Sequence, residues 1–367
     1  MTTRSYYQGK RVLITGHTGF KGGWLALWLL ELGAEIIGIS IDPPTKPSLF
    51  EITDLKKRIC HYTADIRHYN NIAQIITKEE PQLVFHLAAQ PLVRPSYDNP
   101  RETFDTNVSG TVNLLEAIRH CKSIEAAVIV TTDKCYENVE TLVGYQETDR
   151  LGGKDPYSAS KACAELVFRS FHHSFFQNGQ GVAIASARAG NVIGGGDWAE
   201  DRIVADIIRA WPAGASLTIR SPESVRPWQH VLEPLSGYLL LGQQLSRQPN
   251  EFNGQSFNFG PRKESVRTVQ DLLSQFKKHW PTGETLTDSS QIQNKREAGL
   301  LMLNIDKAAR MLDWRPLLSF EESIAMTAEW YHTYYQNKDA DMAEITLNQI
   351  RHYEKLGQLF SVSSVFD

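Results

Sequence analysis

A glycine-rich turn between a predicted strand and a predicted helix constrains the fold more than any other feature of the sequence. The apolar run 11–15 leads into three spaced glycines, and the apolar stretch 24–32 follows them. Gly16 permits a tight turn, Gly19 lets main-chain N–H groups approach a pyrophosphate, and Gly22 allows the helix to pack close to the strand. The pattern predicts a dinucleotide site at the start of this helix, with an ordinary tight turn as the alternative that spacing alone leaves open.

Short apolar runs alternate with amphipathic stretches along the first half of the chain, as in strand–helix–strand units. Because crossovers between parallel strands are right-handed, this alternation predicts an α/β fold with a doubly wound parallel sheet. Beyond Arg188, glycine and proline become frequent, which predicts a second, smaller carboxyl-terminal domain. We predict strands at 11–15, 35–41, 83–88, 126–131 and 182–187, and helices at about 100–121, 233–244 and 321–336. The predicted division is a first domain at 1–188 with 229–256 packing back on it, a second domain at 189–228 and 257–335, and a carboxyl-terminal tail at 336–367.

Composition argues against several classes of function. The net charge of −4 provides no whole-chain basic field for nucleic acid. Charged residues interrupt the apolar stretches, and the first ten residues are polar, so we expect neither a membrane span nor a signal peptide. The four cysteines show no CxxC or Cys/His metal spacing. We therefore expect reduced thiols, no metal and a cytoplasmic location.

Two acidic residues are candidates for contacts with the adenosine half of a dinucleotide. Asp42 ends the second predicted strand, where a carboxylate accepts the ribose hydroxyls and favours NAD over NADP. No arginine directly follows that strand to hold a 2′-phosphate. Asp65 is a candidate for the adenine amino group, with an ordinary surface carboxylate as the equal alternative. These positions favour NAD as the cofactor.

Tyr157 and Lys161 lie four residues apart, which places a phenol and an ammonium on one face of a predicted helix. A free tyrosine has a pKa near 10, but an adjacent lysine and the positive nicotinamide ring both favour the phenolate. Tyr157 could then take the proton of a substrate hydroxyl while its carbon gives a hydride to NAD. Thr132, at the end of a predicted strand, can bond the same hydroxyl. By itself a Tyr-x-x-x-Lys pair is common on helix surfaces, so the prediction depends on the accompanying motifs.

The order of these motifs resembles the extended short-chain dehydrogenase/reductase family over nearly the whole chain. In that order come the glycine loop, Ala88 and Ala89 after the next strand, Asn107, Thr132, and then the Tyr157 and Lys161 pair. The resemblance implies a Rossmann domain for NAD and a small carboxyl-terminal domain for a nucleotide sugar. The NAD site that it implies comprises Gly16, His17, Thr18, Gly19, Phe20, Gly22, Asp42, Asp65, Ile66, Ala88, Ala89, Asn107, Tyr157 and Lys161.

The run Thr132-Asp133-Lys134 resembles the sugar nucleotide 4,6-dehydratase branch, in which an acidic residue and a base follow the hydroxyl residue. Most such enzymes have Asp-Glu, and Asp-Lys is similar to the variant that acts on CDP-glucose. The stretches 188–198 and 226–231 also resemble that variant. The resemblance implies that Tyr157 supports C4 oxidation, Lys134 removes the C5 proton, and Asp133 protonates the departing C6 hydroxyl. As a base, Lys134 would need a neutral amine in a partly desolvated site, and a structural salt bridge to Asp133 is the alternative.

The resemblance also implies a substrate site with arginines for the diphosphate. Arg226 is the first candidate, and the others are Gln90, Arg94, Asn191 and Arg202. Apolar residues on several faces of the predicted helices indicate a homodimer or higher homo-oligomer. Three alternatives stay open at this point: a dehydratase for another nucleotide sugar, a nucleotide-sugar 4-epimerase, and a non-catalytic protein that senses NAD.

Overall fold

The computed structural model of the chain describes residues 2–141, 143–177, 181–219, 222–281, 283–287 and 301–360. Parts of the predicted second domain, 220–221 and 288–300, lie outside the described residues, as do the last seven residues of the predicted tail.

A seven-stranded parallel sheet forms the centre of the fold, in the spatial order β3-β2-β1-β4-β5-β6-β7. The order reverses between β1 and β4, which is the switch point at which doubly wound sheets bind ligands. The structure confirms the predicted doubly wound parallel sheet. Its strands are β1 (Arg11–Thr15), β2 (Glu35–Ser40), β3 (Cys60–Thr63), β4 (Leu83–His86), β5 (Ala126–Val130), β6 (Ala183–Ala189) and β7 (Ser256–Phe259).

The strands form because their apolar residues can be buried on both faces of the sheet. All residues of β4, β5, β6 and β7 are buried, and in β1 and β2 only the first residue of each strand reaches solvent. The edge strand β3 is partly exposed along its length. Helices cover the two faces, and each face has its own hydrophobic core. Trp24 and Tyr238 belong to the larger core, whereas Leu114 and Phe168 belong to the smaller one.

The longer helices lie between and after these strands. They are α1 (Phe20–Glu31), α2 (Tyr69–Glu79), α3 (Gly110–Arg119), α4 (Pro156–Phe171), α5 (Ile203–Ala210), α6 (Leu232–Arg247), α7 (Val269–His279), α8 (Phe320–Gln336) and α9 (Met342–Phe360). Short helices occupy Thr3–Tyr7, Leu49–Ile52, Val93–Asp98, Pro100–Phe104, Pro249–Phe252 and Asp306–Met311. The helix predicted at 100–121 is divided by a π-helical turn at Asp105–Ser109.

The part of the chain after β6 contains short strands that pair outside the main sheet. Val192–Ile193 pairs with Gln229–His230, Leu217–Ile219 with Thr285–Thr287, and Val225–Pro227 with Val266–Thr268. Helix α6 packs on β5 and β6, and α9 packs on α1. The predicted boundary at residue 256 coincides with the first residue of β7. The division into cofactor and substrate domains stays a prediction.

Candidate active site

The glycine loop follows β1 directly and has the close packing that its spacing predicts. Gly16 has a φ of +81°, and a Cβ atom there would lie 2.7 Å from the backbone N of Ala88. At Gly22 a Cβ atom would lie 2.2 Å from the carbonyl oxygen of Gly16. A side chain at either position would therefore force the loop, the adjacent strand end and α1 apart.

The start of α1 is suited to an anionic ligand. Gly19 is the residue before the first turn, and no side chain caps the N–H groups of that turn. A Cβ atom at Gly19 would meet nothing closer than the Gly16 carbonyl oxygen, at 3.4 Å. Uncapped N–H groups and the helix dipole favour a phosphate at this point. The residues present thus fit the pyrophosphate of a dinucleotide.

Two other loop residues are turned into the protein. The ring of His17 is fully buried, and its Nε2 lies 2.7 Å from Nδ1 of His61. Burial, together with the charge of His61, lowers the pKa of His17 to about 4. Thr18 forms a 2.6 Å hydrogen bond with the hydroxyl of Ser40 at the end of β2. Phe20, the first residue of α1, is partly buried against the larger core.

The candidates for the adenosine end lie at the ends of β2 and β3. Asp42 is exposed just beyond β2. Asp65 accepts hydrogen bonds from the side chain and the backbone N–H of Arg67. Ile66 is buried, and a Cβ atom at Gly110 would lie 2.5 Å from its Cδ1. The Arg67 contacts occupy much of the Asp65 carboxylate, so its contact with adenine stays a prediction.

A buried hydrogen-bonded chain joins the glycine loop to Asn107 through His86. The Ala88 N–H donates to Thr15 Oγ1 at 3.2 Å, and Thr111 Oγ1 donates to the Asn107 carbonyl at 2.7 Å. Thr111 must therefore accept from His86 Nε2, at 3.2 Å, while Thr15 donates to His86 Nδ1, at 2.7 Å. Burial, together with the charge of Lys161, lowers the pKa of His86 to about 3. His86 is thus a neutral imidazole held in one tautomer.

Asn107 lies in the π-helical turn at Asp105–Ser109, a feature frequent at functional sites. Its Oδ1 accepts from the Gln90 N–H at 2.9 Å, and its Nδ2 donates to Ser160 Oγ at 2.8 Å. Ser160 in turn donates to the carbonyl of Tyr157. Asn107 is therefore fixed against the helix that carries Tyr157. Ala89 follows Ala88 in the loop after β4 and is partly buried.

Tyr157 and Lys161 lie one turn apart on α4. The helix begins at Pro156, and Asp155 caps it by accepting from the Ser158 N–H at 2.9 Å. Tyr157 and Lys161 are buried, with 8% and 7% of their surfaces exposed. Burial lowers the pKa of Lys161 to about 8. The structure thus brings the predicted pair together in a largely water-free position.

The phenol of Tyr157 interacts with Thr132, which follows β5, and with the charge of Arg202. Burial raises the pKa of Tyr157 to about 12, whereas a hydrogen bond with Thr132 and the charge of Arg202 lower it. Further positive charge is needed before the phenolate can form at neutral pH. A positively charged nicotinamide would supply it.

Asp133 is buried beside this pair. Thr132 Oγ1 donates to Asp133 Oδ1 at 2.9 Å, and a Cβ atom at Gly190 would lie 2.7 Å from Asp133 Oδ2. Burial raises the pKa of Asp133, although Lys134, the Thr132 bond and Lys21 oppose that effect. The raised pKa makes the proton of this acid easier to retain than that of an exposed aspartate. Glycine at 190 leaves the space that the carboxyl group occupies.

Lys134 is partly buried in the short helical turn Asp133–Cys135. Among the residues that the structure describes, its ammonium forms no hydrogen bond or ion pair within 4.0 Å. The structural salt bridge to Asp133, which the sequence left as an alternative, is therefore not formed. An unpaired lysine beside a buried acid is available to a ligand.

The substrate candidates occupy different surroundings. Gln90 donates from Nε2 to the Leu92 carbonyl and to Thr103 Oγ1, so its amide is used within its own loop. Arg94 forms an ion pair with Asp201.

Arg202 pairs with Asp197 at 2.5 Å and lies close enough to Tyr157 to affect its charge. Arg226 is half-buried on a short strand and donates to the Val225 carbonyl at 2.9 Å. Asn191 is half-buried just after β6. Of these candidates, Arg202 is the one whose charge lowers the pKa of Tyr157. The substrate contacts stay predictions.

Lys21 is the residue of this site that sequence reasoning did not select. It lies in the first turn of α1, and its ammonium interacts electrostatically with Asp133, Arg202 and Lys161. Burial, together with the charge of Arg202, lowers the pKa of Lys21 to about 8. The sequence feature that could have identified Lys21 is its position between the second and third glycines of the loop.

Neither a membrane-spanning helix nor a metal-type cluster occurs within the described ranges. There, every helix falls short of the length and apolarity needed to cross a bilayer. In the same part of the chain, His, Cys, Asp and Glu form no group of three or more that could hold a metal ion.

Comparison with known proteins relates this site to nucleotide-sugar enzymes. A family model described as GDP-mannose 4,6 dehydratase matches residues 13–327. The CDP-glucose 4,6-dehydratase of Salmonella typhimurium is 45% identical over 344 residues, which are 92% of this chain and 95% of that protein. The dTDP-glucose 4,6-dehydratase of Xanthomonas campestris is 27% identical over 346 residues, covering 88% and 93%.

Solved structures show the same fold. DesIV, a dTDP-glucose 4,6-dehydratase from Streptomyces venezuelae with NAD and TYD bound, matches with a TM-score of 0.74 at 23% identity, covering 89% of this chain and 98% of that one. UDP-glucose 4-epimerase from Thermotoga maritima, with UDP-glucose, matches with a TM-score of 0.74 at 24% identity, covering 88% and 99%.

Proposed function

The chain belongs to the family described as GDP-mannose 4,6 dehydratase, and its motifs predicted a sugar nucleotide 4,6-dehydratase. We propose that it is an NAD-dependent sugar nucleotide 4,6-dehydratase that converts CDP-glucose into CDP-4-keto-6-deoxyglucose and water. The observation that carries the proposal is the buried Asp133 beside Thr132 and Tyr157, with the unpaired Lys134 next to it. An epimerase has no use for an acid that protonates a C6 hydroxyl. The relative that is 45% identical bears the name of a CDP-glucose enzyme, which favours cytidine as the nucleoside.

The first part of the reaction uses the Tyr157 and Lys161 pair. Tyr157 Oη takes the proton of the sugar C4 hydroxyl, and Thr132 Oγ1 orients that hydroxyl. Lys161 stays protonated and stabilises the phenolate. The glycine loop of Gly16, Gly19 and Gly22 would hold NAD, which would supply a hydride acceptor for C4 and a hydride donor for C6. The C4 ketone formed in between acidifies the proton at C5.

The second part removes water. The amine of Lys134 takes the C5 proton, the C6–O bond breaks, and Asp133 gives its proton to the departing hydroxyl. Lys134 then returns a proton to C5 as C6 is reduced. The proton held by Tyr157 balances the one that Asp133 has lost, so the enzyme is restored and the net change is loss of one water. The raised pKa of buried Asp133 supports its part as the acid.

We place the substrate diphosphate near Arg202, with Arg226, Arg94, Asn191 and Gln90 as further predicted contacts. Arg202 is partly exposed, and its pairing with Asp197 fixes its direction. Guanidinium groups suit diphosphates because they donate paired hydrogen bonds. The short-strand region after 188 would then hold the nucleotide.

The proposal is tested by incubating the enzyme with NAD and, in parallel, CDP-, dTDP-, UDP- and GDP-glucose and GDP-mannose. We expect CDP-glucose to give a 4-keto-6-deoxy product, detected by its absorbance in alkali and by a mass lower by one water, without net NADH. Net NADH formation, or a C4 epimer of unchanged mass, would contradict it. Preference for a substrate with another base would change the proposed nucleotide, and the proposed 4,6-dehydration would still stand.

We also propose a cytoplasmic homodimer that supplies deoxysugar for O-antigen or lipopolysaccharide. The four cysteines are free thiols, as expected in a reducing compartment. Tyr97, Phe104 and Leu166 are large exposed apolar residues on helices that pack together, and such a patch suits a second copy. Sedimentation should show a dimer for the wild type and a monomer for Leu166→Glu. A monomeric wild type would contradict the assembly.

A further inference from the structure

A fully buried ion pair lies behind the helix that carries the predicted proton acceptor. Arg188, near the end of β6, donates to Glu165 of α4 at 2.6 Å, and both side chains are 0% exposed. Glu165 also accepts from Thr131 Oγ1 at 2.5 Å and from Ser186 Oγ at 2.9 Å. Burying two charges is costly, and a buried ion pair is weak evidence of a stabilising role. This pair therefore calls for another explanation.

Arg188 also connects the pair to the segment that follows the turn Asp133–Cys135. Its Nη1 donates to Tyr136 Oη at 2.8 Å and to the Glu147 carbonyl at 3.1 Å. Its Nη2 donates to Ser256 on β7. The Arg188 Nε–H has no acceptor among the described residues, so the network is not fully satisfied. The pair fixes α4 relative to β5, β6 and β7.

Glu165 lies one helical turn after Lys161, on the same face of α4. Burial lowers the pKa of Lys161, whereas the negative charge of Glu165 raises it. The Arg188 pairing and three hydrogen bonds outweigh the effect of burial and lower the pKa of Glu165, which stays ionised. A carboxylate at this position stabilises the protonated form of Lys161.

The other titratable groups near Lys161 do not supply that negative charge. They are His86 on β4, Lys21 on α1, Cys135 in the turn after β5 and Tyr157 on α4 itself. His86 is neutral, and Lys21 is a cation that repels Lys161. Burial raises the pKa of Cys135, which keeps it a thiol. Of these groups, Glu165 is the source of negative charge before Tyr157 ionises.

We propose that Glu165, held by Arg188, is a positioning residue of the reaction: its carboxylate, one helical turn from Lys161, keeps Lys161 charged, so that the Tyr157 phenol can give up its proton. Glu165 touches neither substrate nor cofactor and acts through Lys161. The inference rests on the proposed function and adds a residue to its mechanism. It also gives the costly buried pair a purpose.

The test replaces both members of the pair. Glu165→Gln alone leaves a buried, unpaired guanidinium, so the main variant is Glu165→Gln with Arg188→Met, which removes both charges together. We expect the alkaline limb of the kcat/KM profile with CDP-glucose to move to lower pH by up to about one unit, because the Glu165 carboxylate that raises the pKa of Lys161 is lost. The simultaneous loss of the Arg188 charge makes this shift smaller than loss of the carboxylate alone would. The pH dependence of NADH binding without substrate, followed by fluorescence, should shift in the same direction.

Ser186→Ala is the matched control. It removes one hydrogen bond to Glu165 and retains both charges, so its alkaline limb should stay where it is in the wild type. Melting curves establish that each variant is folded. If the double variant does not fold, Glu165→Asp, which draws the charge back from Lys161, should show a smaller shift in the same direction.

A folded double variant, or a folded Glu165→Asp variant in its place, whose two pH profiles both match the wild type would overturn the inference. A wild type that dehydrates no sugar nucleotide would instead contradict the proposed function. The NADH-binding profile would still test the effect of Glu165 on Lys161 in that case.

Discussion

Replacing Asp133 by asparagine separates the two halves of the proposed reaction. The amide has the same shape, so it fits the space beside Gly190 and can still accept from Thr132 Oγ1. It has no acidic proton for the C6 hydroxyl. Positioned general acids contribute about 10²–10⁴-fold to rate, so we expect kcat to fall by that factor, or by roughly 3–5 kcal/mol of activation free energy. Tyr157 and Lys161 are untouched, and C4 oxidation should continue.

The Asp133→Asn enzyme should therefore accumulate bound NADH when it is mixed with CDP-glucose. Stopped-flow absorbance or fluorescence measures this signal, which in the wild type should decay as the product forms. Glu116→Gln is a control of the same chemical type, because Glu116 is a partly exposed carboxylate on α3 paired with Arg119. Full turnover by Asp133→Asn, or a wild-type NADH signal with slow product formation, would refute the assignment of Asp133 as the acid.

Three further outcomes are expected. Lys134→Met should reduce dehydration by about 10²-fold or more while C4 oxidation persists, and exchange of the C5 hydrogen with solvent deuterium should disappear; exchange at the wild-type rate would remove Lys134 as the base. Gly22→Ala should weaken NAD binding by about tenfold or more in calorimetry, because its Cβ atom would lie 2.2 Å from the Gly16 carbonyl oxygen. Gly152→Ala is the control and should bind NAD normally, because its Cβ atom would meet nothing closer than 3.5 Å. Burial raises the pKa of Glu233 from 4.5 to about 7, so the stability linked to its protonation is present below pH 4.5 and is lost as the pH rises through about 7; the melting temperature of Glu233→Gln relative to the wild type should rise across that window, and a constant difference would contradict the shift.

Local patterns made the sheet and the glycine loop predictable. The run 11–15, the glycines that follow and the helix after them are contiguous, so their spacing specifies one strand, one turn and one helix start. The Tyr157 and Lys161 pair was predictable for the same reason, since four residues make one helical turn. The doubly wound order followed from the handedness of crossovers. The strand β7 was not predicted, because its four residues SFNF alternate polar and aromatic side chains over too short a stretch to be distinguished from a loop.

Contacts between distant segments were not predictable from the sequence. Arg188 and Glu165 are 23 positions apart, and nothing in either segment indicates that they pair in the core. His86 ends a strand like many others, and its tautomer follows only from hydrogen bonds to Thr15 and Thr111. The Asp197 partner of Arg202 and the Arg67 partner of Asp65 likewise required coordinates. Motifs located the chemistry, and packing determined the charge and direction of each side chain.

The central claim, an internal transfer from C4 to C6 with loss of water, is tested most directly with CDP-glucose that carries deuterium at C4. The account predicts that the 4-keto-6-deoxy product retains this deuterium on its C6 methyl group, as measured by nuclear magnetic resonance and mass spectrometry. Deuterium found in released NADH, lost to solvent or still at C4 would contradict it.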